Sequence, residues 1–215
     1  MDTQNTVCKN KFLEGVAMRH ACKEFDEGKK IPTEQFEEIL EVGYAAPSSF
    51  GMEPTRLVVV RDTKAREEIR ALCWDQRQIT SASELVVFKT LKTDLLAHTN
   101  YVQNAFARKQ KTPEQIEAYK KRYGSYLQAR GYDDYTIGYW AALQSYIIAT
   151  SMMDYASYLG IDTCMIEGFE KQELESYFGL DKEREQITLL LAFGYRIKPQ
   201  SKRYRIDFSE FVQYK

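Results

Sequence analysis

Four cations, two adjacent hydroxyls and one acidic residue followed by glycine carry most of the chemistry this sequence can offer. Arg19-His20-Ala21-Cys22-Lys23 places two cations within five residues, and Arg203 and Arg205 place two more near the other end. Pro47-Ser48-Ser49-Phe50-Gly51-Met52-Glu53-Pro54 is a loop with hydroxyls and a glycine between two prolines, able to offer side-chain oxygens and backbone N–H groups to a polar ligand. Glu167-Gly168 closes an extended segment that starts at Ile161, with a glycine where something must approach the backbone. Each stretch has a plain reading: cations that complement a helix end, a solvated basic tail, a connector. Taken together they suit an anionic group joined to a flat polar ring.

Other chemistries find no support. Neither histidine has a recognisable Ser or Cys partner, so no nucleophile–base pair stands out. The Gly-rich Walker loop is missing, as is a Gly-x-Gly-x-x-Gly after a strand. Cys8, Cys22, Cys73 and Cys164 are scattered without a Cys-x-x-Cys pair, which argues against a metal site or a disulfide framework. Thirty Lys and Arg against 31 Asp and Glu give a net charge of -1, and with it no reason to expect nucleic acid or an anionic membrane as partner. The polar N-terminus lacks the apolar core of a signal peptide, and the expected location is cytoplasmic.

These residues need a scaffold, and its centre is the apolar stretch from Tyr135 to Leu159, ended by Gly160. It carries no polar stripe, which assigns it to a core or an interface as a helix roughly 37 Å long. The chain's 15 tyrosines are more aromatic surface than one core absorbs, favouring an oligomer interface or a flat-ligand pocket. Thr33 is expected to cap a helix with Phe36, Ile39, Leu40 and Tyr44 on one face, stopped near Ala46 by Pro47. Leu57–Val60, Leu85–Phe88 and Ile187–Phe193 read as buried strands. The first two, with a helix over Thr63–Leu72 between them, read as an α/β unit. From about residue 93 to 134 the chain makes a helical excursion that looks too polar to be central. It opens on the capping box Thr112-Pro113-Glu114-Gln115 and carries Glu117 and Lys121 a turn apart. Such a segment is a lid or only a solvated helix.

Four signatures in this order resemble the nitroreductase family: Arg19-His20-Ala21-Cys22-Lys23 with Phe25-Asp26, Ala46-Pro47-Ser48-Ser49 before Pro54, and Gly160-Ile161-Asp162 leading to Ile166-Glu167-Gly168-Phe169. The likeness is to its NAD(P)H-dependent, oxygen-insensitive type, from about Phe12 to Val212. It implies an α+β fold over residues 1–215, a mixed and mostly antiparallel sheet flanked by helices, with the long helix central to a homodimer. It also implies FMN at the subunit interface and NAD(P)H as electron donor. Nitroaromatics, quinones or similar flat acceptors would be reduced by a ping-pong mechanism.

Site residues follow from the resemblance position by position. Arg19, His20, Ala21, Cys22 and Lys23 would hold the FMN phosphate and the pyrimidine side of the ring. Ser48, Ser49 and Gly51 would come from the other subunit, and Phe50 with Lys23 would face substrate and nicotinamide. Asp75 and Gln78 stand where relatives place an Asn and a Lys on the cofactor, and Gln144 where a contact crosses the dimer. Ile166, Glu167 and Gly168 would meet the flavin near N5 and O4, and Arg203 with Arg205 would clamp the phosphate. No protein acid or base is required, since the flavin carries the chemistry. An alternative from a different class is a non-catalytic FMN-binding module for storage or sensing. Cys22 and Cys164 read as packed residues, with a redox-responsive thiol as the rarer reading.

Overall fold

The computed structural model describes residues 3–109 and 111–215, with side chains from Asn10 onward, so the Cys8 thiol lies outside the described side chains. In chain order the elements are α1 (Thr3–Met18), α2 (Thr33–Ala45), β1 (Thr55–Val59), α3 (Thr63–Leu72), α4 (Gln78–Ser81), β2 (Glu84–Leu91), α5 (Asn100–Ala107), α6 (Pro113–Ala129), α7 (Ile137–Tyr158), β3 (Asp162–Ile166), α8 (Lys171–Tyr177), β4 (Glu185–Gly194) and α9 (Phe208–Phe211). The four strands form one sheet in the order β1-β2-β4-β3, every neighbour antiparallel. A parallel element enters only at the edge, where Ala21 bridges to Thr163.

The inner strands are covered on both faces, which is why they read as unbroken apolar runs. Leu85, Val87, Leu190 and Ala192 point to one side, packing with Ile69 of α3 and Leu174 of α8. Val86, Phe88, Leu189, Leu191 and Phe193 point to the other, against Phe36 and Ile39 of α2 and Ala149 and Met152 of α7. At Gly43 the α2 backbone comes so close to α7 that a Cβ would sit 2.8 Å from the Met152 sulfur. The long helix therefore lies across one sheet face, as the all-apolar sequence requires. It also leaves Tyr139, Leu143 and Ile147, four residues apart, exposed on a single stripe.

Three expectations need correction. The strand–helix–strand stretch is not a parallel α/β unit, because β1 and β2 are adjacent and antiparallel with Thr55 opposite Thr90. Thr33 is the first residue of α2 and not its cap; Pro32 holds the cap position without a side-chain bond. The excursion is not peripheral either. Its α5 and α6 build a third apolar cluster in which Phe106, Ile116, Tyr123 and Leu127 pack on Ile137 and Trp140 of α7. The capping box at Thr112–Gln115 forms, and Glu117 pairs with Lys120 at 3.1 Å in place of Lys121.

Candidate functional site

Both ends of the chain converge on β3. The Cys22 N–H donates to the Thr163 carbonyl at 3.0 Å, which lays Arg19–Lys23 along that strand. Arg203 Nη2 reaches back to the Val16 carbonyl at 3.0 Å and also donates to the Arg19 carbonyl. Burial, then the neighbouring charges of Arg205 and Arg19, hold the Arg203 guanidinium below its usual range. Among the described residues, no carboxylate lies within 4 Å of Arg19, Lys23, Arg203 or Arg205. Asp154 feels Arg19 without pairing to it, and burial lifts its carboxyl above the usual range. Like charges gathered without counter-ions are costly, and an anion seated among them would remove that cost.

His20 stands apart from this group. Its Nδ1 is 3.7 Å from Asp162 but makes no hydrogen bond. Arg196 already occupies that carboxylate, its Nε donating at 3.0 Å and its backbone N–H at 2.9 Å. Burial, then Arg196, lowers the imidazole pKa, with Asp162 opposing. Cys22 is a core residue whose thiol burial pushes up to about 11, and burial raises Cys164 as well, so both rest as neutral thiols. Lys23 Nζ nonetheless sits 3.5 Å from the Cys164 sulfur, its ammonium at the surface over a buried floor.

The Glu167-Gly168 segment is clamped from one side by the loop after α3. Trp74 and Asp75 both take left-handed backbone, φ 55 and 54. That turn lays the indole on Gly168, where a Cβ would be 2.5 Å from Trp74 Cε3. Gln76 Nε2 donates to the Gly168 carbonyl at 2.7 Å, and Trp74 Nε1 donates to Glu170 at 2.7 Å. What approaches the glycine in this chain is thus Trp74 and Gln76, two residues the sequence reading passed over. An isolated tryptophan in the polar run Trp74–Gln78 was the one available hint. The N–H groups of Glu167 and Gly168 enter no turn or loop hydrogen bond among the described residues, so two main-chain donors remain free. The phenol of Tyr146 on α7 is raised to about 12, first by burial and then by the neighbouring Glu167 carboxylate.

The remaining expected residues divide. Gln78 is buried at this place, donating to Gln76 Oε1 at 2.8 Å and lying 3.8 Å from the Cys164 sulfur. Asp75 turns outward to Arg70 Nε at 2.8 Å. Ala21 and Ile166 hold backbone positions beside and at the end of β3. Ser48, Ser49, Phe50 and Gly51 belong to a second locality, anchored where Gln144 Oε1 accepts from the Ser49 N–H at 2.8 Å. Gln144 is therefore a buried anchor of its own chain's loop. Among the described residues of one chain, no hydrogen bond or ion pair joins that loop to the Arg19–Gly168 group.

A cleft of about 790 Å³ lies elsewhere, lined by Lys30, Arg61, Arg66, Glu67, Arg77 and Glu84. Near β3 a small hollow of about 10 Å³ lies beside Arg19 and Asp162. In one copy they form an open shelf of unpaired cations, free N–H donors and a clamped glycine. That donor set fits a phosphate-bearing flat ring.

A family model described as Nitroreductase family matches residues 16–195. A Staphylococcus epidermidis protein whose name places it among NAD(P)H nitroreductases is 35% identical over 94% of this chain and 96% of its own length. YfkO of Bacillus subtilis, similarly named, is 32% identical over 96% and 98%. Among solved structures, a nitroreductase-like protein of Streptococcus mutans superposes with a TM-score of 0.82 at 19% identity, over 96% of this chain and 98% of that one. A nitroreductase from Exiguobacterium sibiricum in complex with FMN gives 0.74 at 22% identity, over 95% and 97%.

Proposed function

This chain belongs to the nitroreductase family of oxidoreductases, and from that premise we propose that it is an FMN-dependent NAD(P)H oxidoreductase acting on nitroaromatics, quinones or similar flat acceptors. The observation that carries the reading is the set of cations without carboxylates, Arg19, Lys23, Arg203 and Arg205, beside two free main-chain donors at Glu167 and Gly168. Arg203 and Arg205, with Arg19, would hold the FMN phosphate; charge-assisted hydrogen bonds to phosphate are among the strong ones. Lys23 would stand at the polar edge of the ring, where its charge favours added negative charge. Glu167 and Gly168 would orient the ring through their N–H groups, on a segment that Trp74 and Gln76 hold still. FMN, when bound there, would supply the hydride exchange between NAD(P)H and the acceptor in a ping-pong scheme.

The open shelf is half a pocket, and a second copy would supply the rest, with Ser48, Ser49, Phe50 and Gly51 closing over its partner's ring. The exposed stripe of Tyr139, Leu143 and Ile147 on α7 supports a homodimer, as do the exposed Ile206, Phe208 and Phe211 of the C-terminal segment. Among the described residues no helix is long and apolar enough to cross a membrane. A visible absorption spectrum of the purified dimer, before and after anaerobic NADPH, tests the reading. Yellow protein that bleaches rapidly supports it. Yellow protein that does not bleach would make the chain a flavin store or sensor, and colourless protein that takes up no added FMN would end the reading.

A further inference from the structure

Residues 93–134 were open between a lid and a solvated helix, and the contacts of Phe50 give them a more specific task. Phe50 has φ 56 and Gly51 has φ 62, two successive left-handed residues that reverse the loop in the middle. A phenylalanine rarely holds that backbone unless its surroundings enforce it, and such residues gather where a ligand is gripped. Here the enforcement comes from the excursion. Lys109 Nζ donates to the Phe50 carbonyl at 2.7 Å. The Phe50 ring lies 5.1 Å from both Tyr123 and Tyr126 of α6. Tyr101 of α5 donates to the Met52 carbonyl at 2.7 Å, fixing the loop's far end. At the adjacent Gly51 a Cβ would lie 2.9 Å from the same Lys109 Nζ, so the lysine end passes close over the loop.

We propose that Lys109 is a positioning residue for acceptor choice: it pins the Phe50 carbonyl and thereby fixes where the Phe50 ring stands over the substrate side of the site. This rests on the functional reading above, in which Phe50 faces the acceptor. Tyr123 is buried in the core of the excursion, Phe50 and Tyr126 are half-buried at its edge, and Lys109 is exposed and adds one bond to an exposed carbonyl. Removing that bond leaves the core intact and lets Phe50 relax to ordinary negative φ, which swings the ring. The shape of the acceptor opening then changes while the cations and main-chain donors around β3 stay as they were.

The test uses the full-length dimer loaded with FMN and compares Lys109→Met, Lys109→Arg and Phe50→Gly with the parent. Steady-state constants are measured for a one-ring and a fused two-ring quinone at saturating NADPH, with the thermal midpoint in parallel. Lys109→Met is expected to change the ratio of kcat/KM between the two quinones by about tenfold, the scale on which an apolar pocket's shape discriminates. The change should fall mainly in KM, with Lys109→Arg restoring the ratio. Phe50→Gly, which accepts the left-handed backbone but has no ring, should give a similar ratio that Lys109→Met no longer alters. An unchanged ratio in Lys109→Met overturns the proposal, and so does an equal loss for both quinones accompanied by a lower midpoint. If the parent itself retains no FMN or is not bleached by NADPH, it is the functional reading that fails, and the proposal falls with it.

Discussion

Two groups of arginines in this molecule look alike in the sequence and behave oppositely in the fold. Beside α3, Arg61 faces Glu84 at 3.9 Å, Arg70 holds Asp75 at 2.8 Å, and Arg77 reaches Glu24 and Glu27 at 3.2 and 3.7 Å. Arg66, buried among them, donates to the carbonyls of Val60, Ala82 and Ser83 at 2.6–3.0 Å. Among the described residues, Arg19, Arg203 and Arg205 make no such ion pairs. The first group lines a cleft of about 790 Å³ and spends its charge on carboxylates and carbonyls; the second has no carboxylate partner among the described residues, and only Arg203 is engaged, by two backbone carbonyls. A cation marks a ligand site when its charge is unanswered, and the volume of the nearest hollow says little about it.

The sharpest way to break this contrast is to exchange consequences between the two groups. Replacing Arg203 and Arg205 together by Ala should weaken FMN binding by several kcal/mol, each charged hydrogen bond being worth roughly 1.5–3. The thermal midpoint of the flavin-free protein should fall less than in Arg66→Ala, because only Arg203's bonds to the part-buried Val16 and Arg19 carbonyls are lost. Arg66→Ala should do the reverse, since three buried carbonyls lose their donor at about 1–3 kcal/mol each. Titration of FMN by fluorescence quenching and calorimetry on the same samples decide the matter. FMN retained by the double variant, or lost from a still-folded Arg66→Ala, would mean that the two groups had been assigned the wrong way round.

A second contrast is between two of the glycines where the chain approaches itself closely. Gly43 admits the flexible end of Met152, whereas Gly168 admits a rigid indole. Gly168→Ala should therefore cost about 1–3 kcal/mol of stability, the usual price of overpacking, while Gly43→Ala costs less because the thioether can turn aside. Adding Trp74→Leu to Gly168→Ala should recover most of the loss, measured by urea denaturation. If the second substitution recovers nothing, the indole is not what requires the glycine.

How much of this could be read in advance follows from how local each signal was. The stop before Pro47 and the capping box at Thr112 depend on residues within a turn, and both form as expected. Strand direction was not legible, because a run such as Leu57–Val60 reads alike in a parallel strand and in an antiparallel one covered on both faces. Gly168 announced that something approached it. What approaches includes Gln76, 92 residues earlier in the chain, and no spacing rule connects the two. The excursion read as polar because its aromatic residues lie scattered among charges; only the packed helix shows Tyr123 fully buried with its hydroxyl donating to the Leu95 carbonyl at 2.7 Å. The four cations were visible as types, but their lack of carboxylate partners among the described residues became visible only in the fold.

Lys23 sharpens the contrast at smaller scale, since it is the one unanswered cation that rests over a thiol instead of beside other arginines. If its charge faces the ring, Lys23→Met should lower the potential of bound FMN, by about 30 mV for each 1.4 kcal/mol of lost stabilisation in a two-electron couple. Phosphate-side affinity should be nearly untouched. Spectroelectrochemical titration of the variant reads this directly, and a potential equal to the parent's would move Lys23 away from the ring.

His20 offers the smallest effect and the one whose sign is easiest to get wrong. It sits between the two kinds of environment, near a carboxylate already taken by Arg196 and beside the unpaired Arg19. Burial and Arg196 depress its folded pKa below the unfolded value of 6.5. For a base with a depressed pKa the unfolded chain binds the proton more readily, so the proton favours unfolding. The full native stability is present above pH 6.5 and is lost as pH falls through and below that value. His20→Gln, which cannot take up the proton, should flatten that acid-side decline while leaving the midpoint near pH 8 almost unchanged. Parallel melts from pH 8 to pH 5 in the flavin-free protein would show the two curves converging at the alkaline end and separating in acid, the variant above. Curves that separate at the alkaline end would mean that His20 contributes through packing or a hydrogen bond, and not through its charge.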